Sequence, residues 1–290
     1  MLKYGDKVGI VACSNALTNG ERNQITELAD TFVKLGLTPV FSEYVFEQQF
    51  GSTGTGADRA GVLNDFFCDK SIRAIFDVSG DDIANELLDF IDYDSIRIHP
   101  KPFFGYSDLT TVMNAIYQKT GCPSYLYQAR CLVWENRGIQ IANFYNSIRE
   151  GQEDLYKIKW NFIRGSKIDG VVVGGNIRCL LKLAGTQYMP DFEDKVLFLE
   201  SYGGGVALMK TYLCQLEQMG VFKKISGLLL GTFTKMEENR ESPNIAELVF
   251  SIAGERIQIA KTQEVGHANT SQCLIIGKKY VCAKSPAVAG

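Results

Sequence analysis
The sequence predicts an α/β protein built as a doubly wound parallel sheet followed by a second α/β unit. Three observations carry that expectation. Short runs rich in β-branched and aromatic residues alternate with helical patterns throughout the first half. At roughly 100–200 residues per domain, 290 residues call for two cores, not one. A polar, aperiodic stretch from Glu135 to about Gly165 separates two such alternating halves.

Strands are expected at residues 8–12, 38–41, 72–78, 102–105 and 123–127. Between the first two, Ile25, Leu28, Ala29, Phe32 and Val33 recur at helical spacing. Gly36 follows Leu35 where a helix C-cap belongs, which completes a βαβ unit. Ala60, Leu63, Phe66 and Phe67 lead into the strand at 72–78, and Leu109, Val112, Met113, Ile116 and Tyr117 share a helical face ahead of Gly121. In the second half, strands are expected at 170–173, 196–199, 227–230, 257–260 and 274–276, and helices at 177–183, 206–219 and 245–252. The expected division is an N-terminal α/β domain at 1–140, a connection at 141–165, a C-terminal domain at 166–284 and a frayed tail at 285–290.

Composition excludes several functions. Thirty basic and thirty-three acidic residues leave a formal charge of -3, without the positive field that holds nucleic acid or anionic membrane. The apolar run after Lys7 is too short for a signal peptide or a membrane span, so a cytoplasmic protein is expected. Eight scattered cysteines without a C-x-x-C pair read as reduced, mostly buried thiols, and two histidines are too few for a zinc site. The glycine-rich segment 51–56 lacks a P-loop lysine, and Arg59 stands where the third glycine of G-x-G-x-x-G belongs. A flexible loop is the simpler reading, and no cofactor or metal is expected.

The residues that could do chemistry are few. Ser107 falls between a strand and a helix in Phe103-Phe104-Gly105-Tyr106-Ser107-Asp108, where a nucleophile elbow would lift its hydroxyl above the carboxyl edge of a sheet. Only half of G-x-S-x-G is present, because Leu109 replaces the second glycine, and on local grounds alone the serine reads first as a helix N-cap with Asp108 in the first turn. A serine nucleophile needs a base held by a carboxylate. His99 sits before a proline in a surface loop, whereas His267 follows Gly266 in a polar loop between two strands. Glu200 ends the apolar strand at 196–199 and enters the run Gly203-Gly204-Gly205, fixed at a strand end beside an adaptable loop.

Several segments together resemble the LD-carboxypeptidase family of serine peptidases: LKYGDKVGIVA (2–12), GYSDLT (105–110), GGN (174–176), GTQYMP (185–190), LFLE (197–200) and GH (266–267). The resemblance implies a flavodoxin-like N-terminal domain, a C-terminal domain with a small β-barrel-like sheet, an active site between them and a homodimer. It implies Ser107 as nucleophile, Glu200 as acid and His267 as base. The implied substrate is a small peptide: a murein tetrapeptide losing its terminal D-alanine or, as in a sister group, a microcin C type peptidyl-nucleotide.

Three segments depart from the family pattern. Its Arg-Gly-Gly-Tyr-Gly loop reads Ser79-Gly80-Asp81-Asp82-Ile83, its His-Gly-Pro reads Tyr127-Gln128-Ala129, and the loop after the glutamate is glycine-rich from 203 to 205. Asp81 falls beside the expected oxyanion donors, so either its side chain turns away or the donor is Gly80, with the Asp108 N–H as the other. The expectation is therefore a metal-independent serine carboxypeptidase. The rival from another class is a non-catalytic small-peptide binding protein.

Overall fold
The structure, a computed structural model, describes residues 1–48 and 53–284. Part of the glycine-rich segment and the expected tail at 285–290 lie outside the described residues. The strands are Lys7–Val11 (β1), Thr38–Phe41 (β2), Ile72–Asp77 (β3), Phe103–Gly105 (β4), Ser124–Leu126 (β5) and Asn161–Arg164 (β6). They continue with Lys167–Asn176 (β7), Lys195–Ser201 (β8), Gly227–Phe233 (β9), Ile259–Lys261 (β10), Leu274–Ile276 (β11) and Lys279–Ala283 (β12).

The first sheet has the order β11-β5-β4-β3-β1-β2, parallel except for β11, which pairs antiparallel with β5. The parallel part is the flavodoxin-like order 2-1-3-4-5, whose direction of winding reverses between β1 and β3. Side chains alternate across it as the pleat requires. Val8, Ile10, Ala74, Phe76 and Phe104 face the helix Arg22–Lys34 through Ile25, Leu28 and Phe32. Val11, Ile75 and Phe103 face the opposite layer, formed by the helices Gly56–Cys68 and Thr110–Thr120. Phe76 and Tyr125 stack on Phe104 with centroids 4.4 and 4.6 Å away, which ties β3, β4 and β5 into one apolar face.

The second sheet has the order β12-β7-β8-β9-β10-β6 and curls into a half-barrel. Its four central strands are parallel, and β6 and β12 are antiparallel edges. The helices Val206–Gln218 and Ile245–Ile252 cover one face through Met209, Leu213, Leu216, Leu248 and Val249.

One expectation about local structure changes. The stretch from Glu135 to Gly165 is not irregular: it holds the helix Arg137–Phe144, which continues as a π-helical turn over Tyr145–Arg149, and then β6. Its buried face is Gln140, Phe144, Ser147 and Ile148, a helical spacing disguised by two polar members. Both are satisfied inside: Gln140 accepts from the Tyr127 hydroxyl at 2.9 Å and Ser147 from the Leu155 N–H at 2.8 Å. The edge strand β12 gives no apolar run because it is only half-buried.

The two sheets meet where the end of β7 crosses the start of the helix Thr110–Thr120. The Asn114 amide donates to the Gly174 carbonyl and accepts from its N–H, both at 2.9 Å, and the Thr110 hydroxyl accepts from the Asn176 N–H at 2.9 Å. Gly175 has a φ of 142°, and a Cβ there would come within 2.5 Å of the Thr110 hydroxyl. The glycine is what allows this crossing. All eight cysteines are free: Cys13, Cys131, Cys179 and Cys273 are buried and Cys68 is exposed. Among the described residues no helix is long and apolar enough to cross a membrane.

Candidate active site
The chain leaves β4 through Tyr106 in extended conformation and turns at Ser107, whose φ is 52°. A left-handed non-glycine residue costs about 1–3 kcal/mol and persists only where its surroundings hold it. Here the following 3-10 turn and the helix Thr110–Thr120 do so. The elbow works with one glycine: a Cβ on Gly105 would lie 2.8 Å from the Leu109 Cβ, so Leu109 fills the space beside Gly105.

The structure brings Ser107, His267 and Glu200 into one hydrogen-bonded series. His267 Nε2 lies 3.2 Å from the Ser107 Oγ, and His267 Nδ1 lies 2.7 Å from the Glu200 Oε2. Glu200, at the end of β8, is 0% exposed, and its other oxygen accepts from the Asn176 amide at 3.1 Å. The carboxylate facing Nδ1 assigns the imidazole proton to that nitrogen, which leaves the Nε2 lone pair toward the serine. His267 packs against Tyr106 and Tyr202, at centroid distances of 4.6 and 5.1 Å. Its loop approaches closely because β9 carries a glycine: a Cβ on Gly231 would sit 2.4 Å from the Val265 carbonyl. His99 lies elsewhere, as the C-cap of the helix Tyr93–Ile98.

The 79–83 loop is held by a buried polar chain. Asp77 Oδ1 accepts from the Ser79 N–H at 2.8 Å and from its hydroxyl at 2.6 Å, and the Ser79 Oγ accepts from the Ser14 N–H at 2.9 Å. Burial pushes the Asp77 carboxyl above the usual carboxylate range, and the donors from Ser79 and Cys13 oppose it. Gly80 accepts from the Asn15 N–H at 3.1 Å. Asp81 is exposed with a φ of 74°, a conformation that suits the family's glycine and that aspartate tolerates.

These groups open into a cleft of ≈ 550 Å³. Its lining includes Gly80, Asp81, Ser107 and His267, together with Glu21, Arg130, Trp134, Tyr202, Leu208 and Tyr212. Arg130 pairs with Glu21 at 2.7 Å. The run 203–205 is anchored: the Ser201 hydroxyl donates to the Gly203 carbonyl at 2.8 Å, and the Val206 N–H donates to Glu241 at 2.8 Å. Sequence reading missed Asn176, which bonds Glu200 on the neighbouring strand, Arg130, which pairs with Glu21, and Trp134 and Tyr212, which line the cleft. Only Asn176, within the quoted GGN segment, left a signal. Among the described residues no three His, Cys, Asp or Glu side chains converge to hold a metal ion.

A serine, an imidazole and a carboxylate in series at the carboxyl ends of two sheets form the arrangement that acyl-transfer hydrolases use. The sequence matches the LD-carboxypeptidase N-terminal domain over residues 8–127 and the LD-carboxypeptidase C-terminal domain over residues 169–281. The chain belongs to this family, the S66 peptidases. It is 25% identical over 290 residues to a probable murein peptide carboxypeptidase of Bacillus subtilis, covering 96% of this chain and 89% of that protein. It is 26% identical over 262 residues to the microcin C7 self-immunity protein MccF of Escherichia coli, covering 79% and 76%. The crystal structure of an MccF-like protein from Bacillus anthracis superposes with a TM-score of 0.85 at 26% identity, covering 98% of this chain and 95% of that one.

Proposed function
We propose that the chain is a serine carboxypeptidase whose Ser107, His267 and Glu200 act as a catalytic triad, and that it releases the terminal D-alanine of a murein tetrapeptide. The series of contacts at 3.2 and 2.7 Å from serine to imidazole to carboxylate carries the reading. Ser107 attacks the amide carbonyl while His267 Nε2 takes the hydroxyl proton, the imidazolium protonates the leaving amine as the C–N bond breaks, and water activated by the same imidazole then hydrolyses the acyl-serine and restores the Ser107 hydroxyl. Glu200 holds the tautomer and stabilises the imidazolium. The Asp108 N–H and the Gly80 loop donate to the oxyanion. The similarity to a probable murein peptide carboxypeptidase supports the substrate.

A second reading, a microcin C type peptidase acting on a peptidyl-nucleotide, draws on Trp134, Tyr202 and Tyr212 in the cleft lining, whose flat faces suit a base, and on the similarity to MccF. A fluorophosphonate probe is expected to label the wild type and not Ser107→Ala. Equal labelling of both would sink the triad, and no labelling of either would leave the non-catalytic binding protein. Side-by-side turnover of murein tetrapeptide and an aminoacyl sulfamoyl adenosine then decides between the substrates.

A further inference from the structure
We propose that Lys182 is a positioning residue for the oxyanion side of this site, joining the residue after the nucleophile to the 80–82 loop through one ammonium. The inference rests on the Ser107–His267–Glu200 reading. The Asp108 carboxylate is fully buried. Its Oδ2 accepts from the Ser14 hydroxyl at 2.7 Å and the Ala84 N–H at 2.8 Å, and its Oδ1 accepts from the Lys182 Nζ at 2.6 Å. The same Nζ donates to the Asp82 carbonyl at 2.7 Å and reaches the Asp82 carboxylate at 3.4 Å. An ammonium has three donors, and these contacts use them. The Lys182 side chain is only 20% exposed, so solvent competes little for it.

Arg178, one turn earlier, donates to the Asp81 carbonyl at 3.0 Å and pairs with the Asp82 carboxylate. Both cations follow Asn176, which bonds Glu200. A single segment, 176–182, therefore touches the acid, the loop that supplies one oxyanion donor and the residue that supplies the other. Backbone donors stabilise an oxyanion only when they are already aimed where it forms, and a misplacement of about 1 Å costs on the order of 10²-fold. The 79–83 loop needs such a brace, since Asp81 stands in a left-handed conformation. The plainer role for Lys182 is to neutralise the buried Asp108 carboxylate. That role lowers stability when lost and leaves the rate of the folded protein unchanged.

The labelling kinetics of Ser107 with a fluorophosphonate separate the two roles, because the phosphoryl oxygen uses the same donors during attack. In Lys182→Met the limiting rate of labelling is expected to fall about 10²-fold, with the half-saturating probe concentration within about twofold of wild type. Lys182→Arg, which keeps the charge and donors, is expected to recover part of that loss. Asp82→Ala removes the carboxylate contacts to Lys182 and Arg178 at an exposed side chain and leaves the carbonyl bond to Lys182 in place, so a smaller loss is expected without a change in unfolding temperature. If Lys182→Met does not fold, Lys182→Gln decides the matter, because it keeps a donor for the buried Asp108 carboxylate while removing the charge and the reach to Asp82. A limiting rate within about threefold of wild type in the folded variant, with only a lowered unfolding temperature, overturns the positioning role. Ser107→Ala serves as the control. Labelling that survives it overturns the triad itself, whereas labelling lost there but indifferent to Lys182 overturns only this inference.

Discussion

The two sides of the cleft are held in different ways. On the first-sheet side, Ser107 and the 79–83 loop rest on a strained turn and on a connected set of polar groups, Asp77, Ser79, Ser14, Asp108 and Lys182, each with two or more partners. On the second-sheet side, His267 has one carboxylate partner and two aromatic neighbours. The network holds the geometry of the oxyanion side, whereas each member of the series takes part in the proton transfer itself. Single substitutions should therefore matter more in the series than in the network.

The largest effects test the series. Ser107→Ala and His267→Ala are each expected to lower turnover about 10⁴- to 10⁶-fold, with the double variant little worse than either. Additive losses would mean that the two groups do not act as a unit. Glu200→Gln keeps the shape but favours the wrong tautomer, and a loss of about 10⁴-fold in kcat is expected. Asn176→Ala removes the second bond to Glu200 together with the cap that accepts from the Cys179 N–H, and about a tenfold loss is expected from hydrogen bonds of that kind. If Asn176→Ala costs as much as Glu200→Gln, the series extends one member further and the contrast weakens.

Smaller effects test how the sides are joined. Gly175→Ala pushes a methyl group against Thr110 and should destabilise the protein by about 1–3 kcal/mol in denaturant unfolding. An unchanged midpoint would show that the crossing tolerates a wider gap. The smallest concerns Tyr106, whose buried hydroxyl has no hydrogen-bond partner among the described residues and whose ionisation is pushed up, mainly by burial and further by Glu200. Tyr106→Phe keeps the ring beside His267 and should leave stability unchanged or raise it by up to about 1 kcal/mol. A loss above that range would reveal a partner for the hydroxyl.

Much of the fold was legible. The strand at 274–276 and the helix at 245–252 were read to the residue, and most others fell within a few residues, because each buries an apolar face with its own period. The helix Arg137–Phe144 was hidden because Gln140 and Ser147 occupy its buried face. The site was legible in its chemistry: Ser107, Glu200 and His267 were singled out as residue types beside turns, and they meet. Arg130, Trp134 and Lys182 carry no local pattern that marks what they touch.

By itself, then, the sequence determined what lies in short stretches of chain: apolar periods, glycine stops, the serine at the strand-to-helix turn and the family those segments resemble. Only the tertiary structure decided which distant groups meet. Leu274–Ile276 pairs with β5 of the first sheet, and Lys182 bonds to Asp108 and Asp82. The physical reason is that a strand's pairing partner and a buried charge's counterion are chosen by three-dimensional neighbourhood, through backbone donors left open at a sheet edge and the cost of burying an ion alone. Neither requirement leaves a periodic mark along the chain.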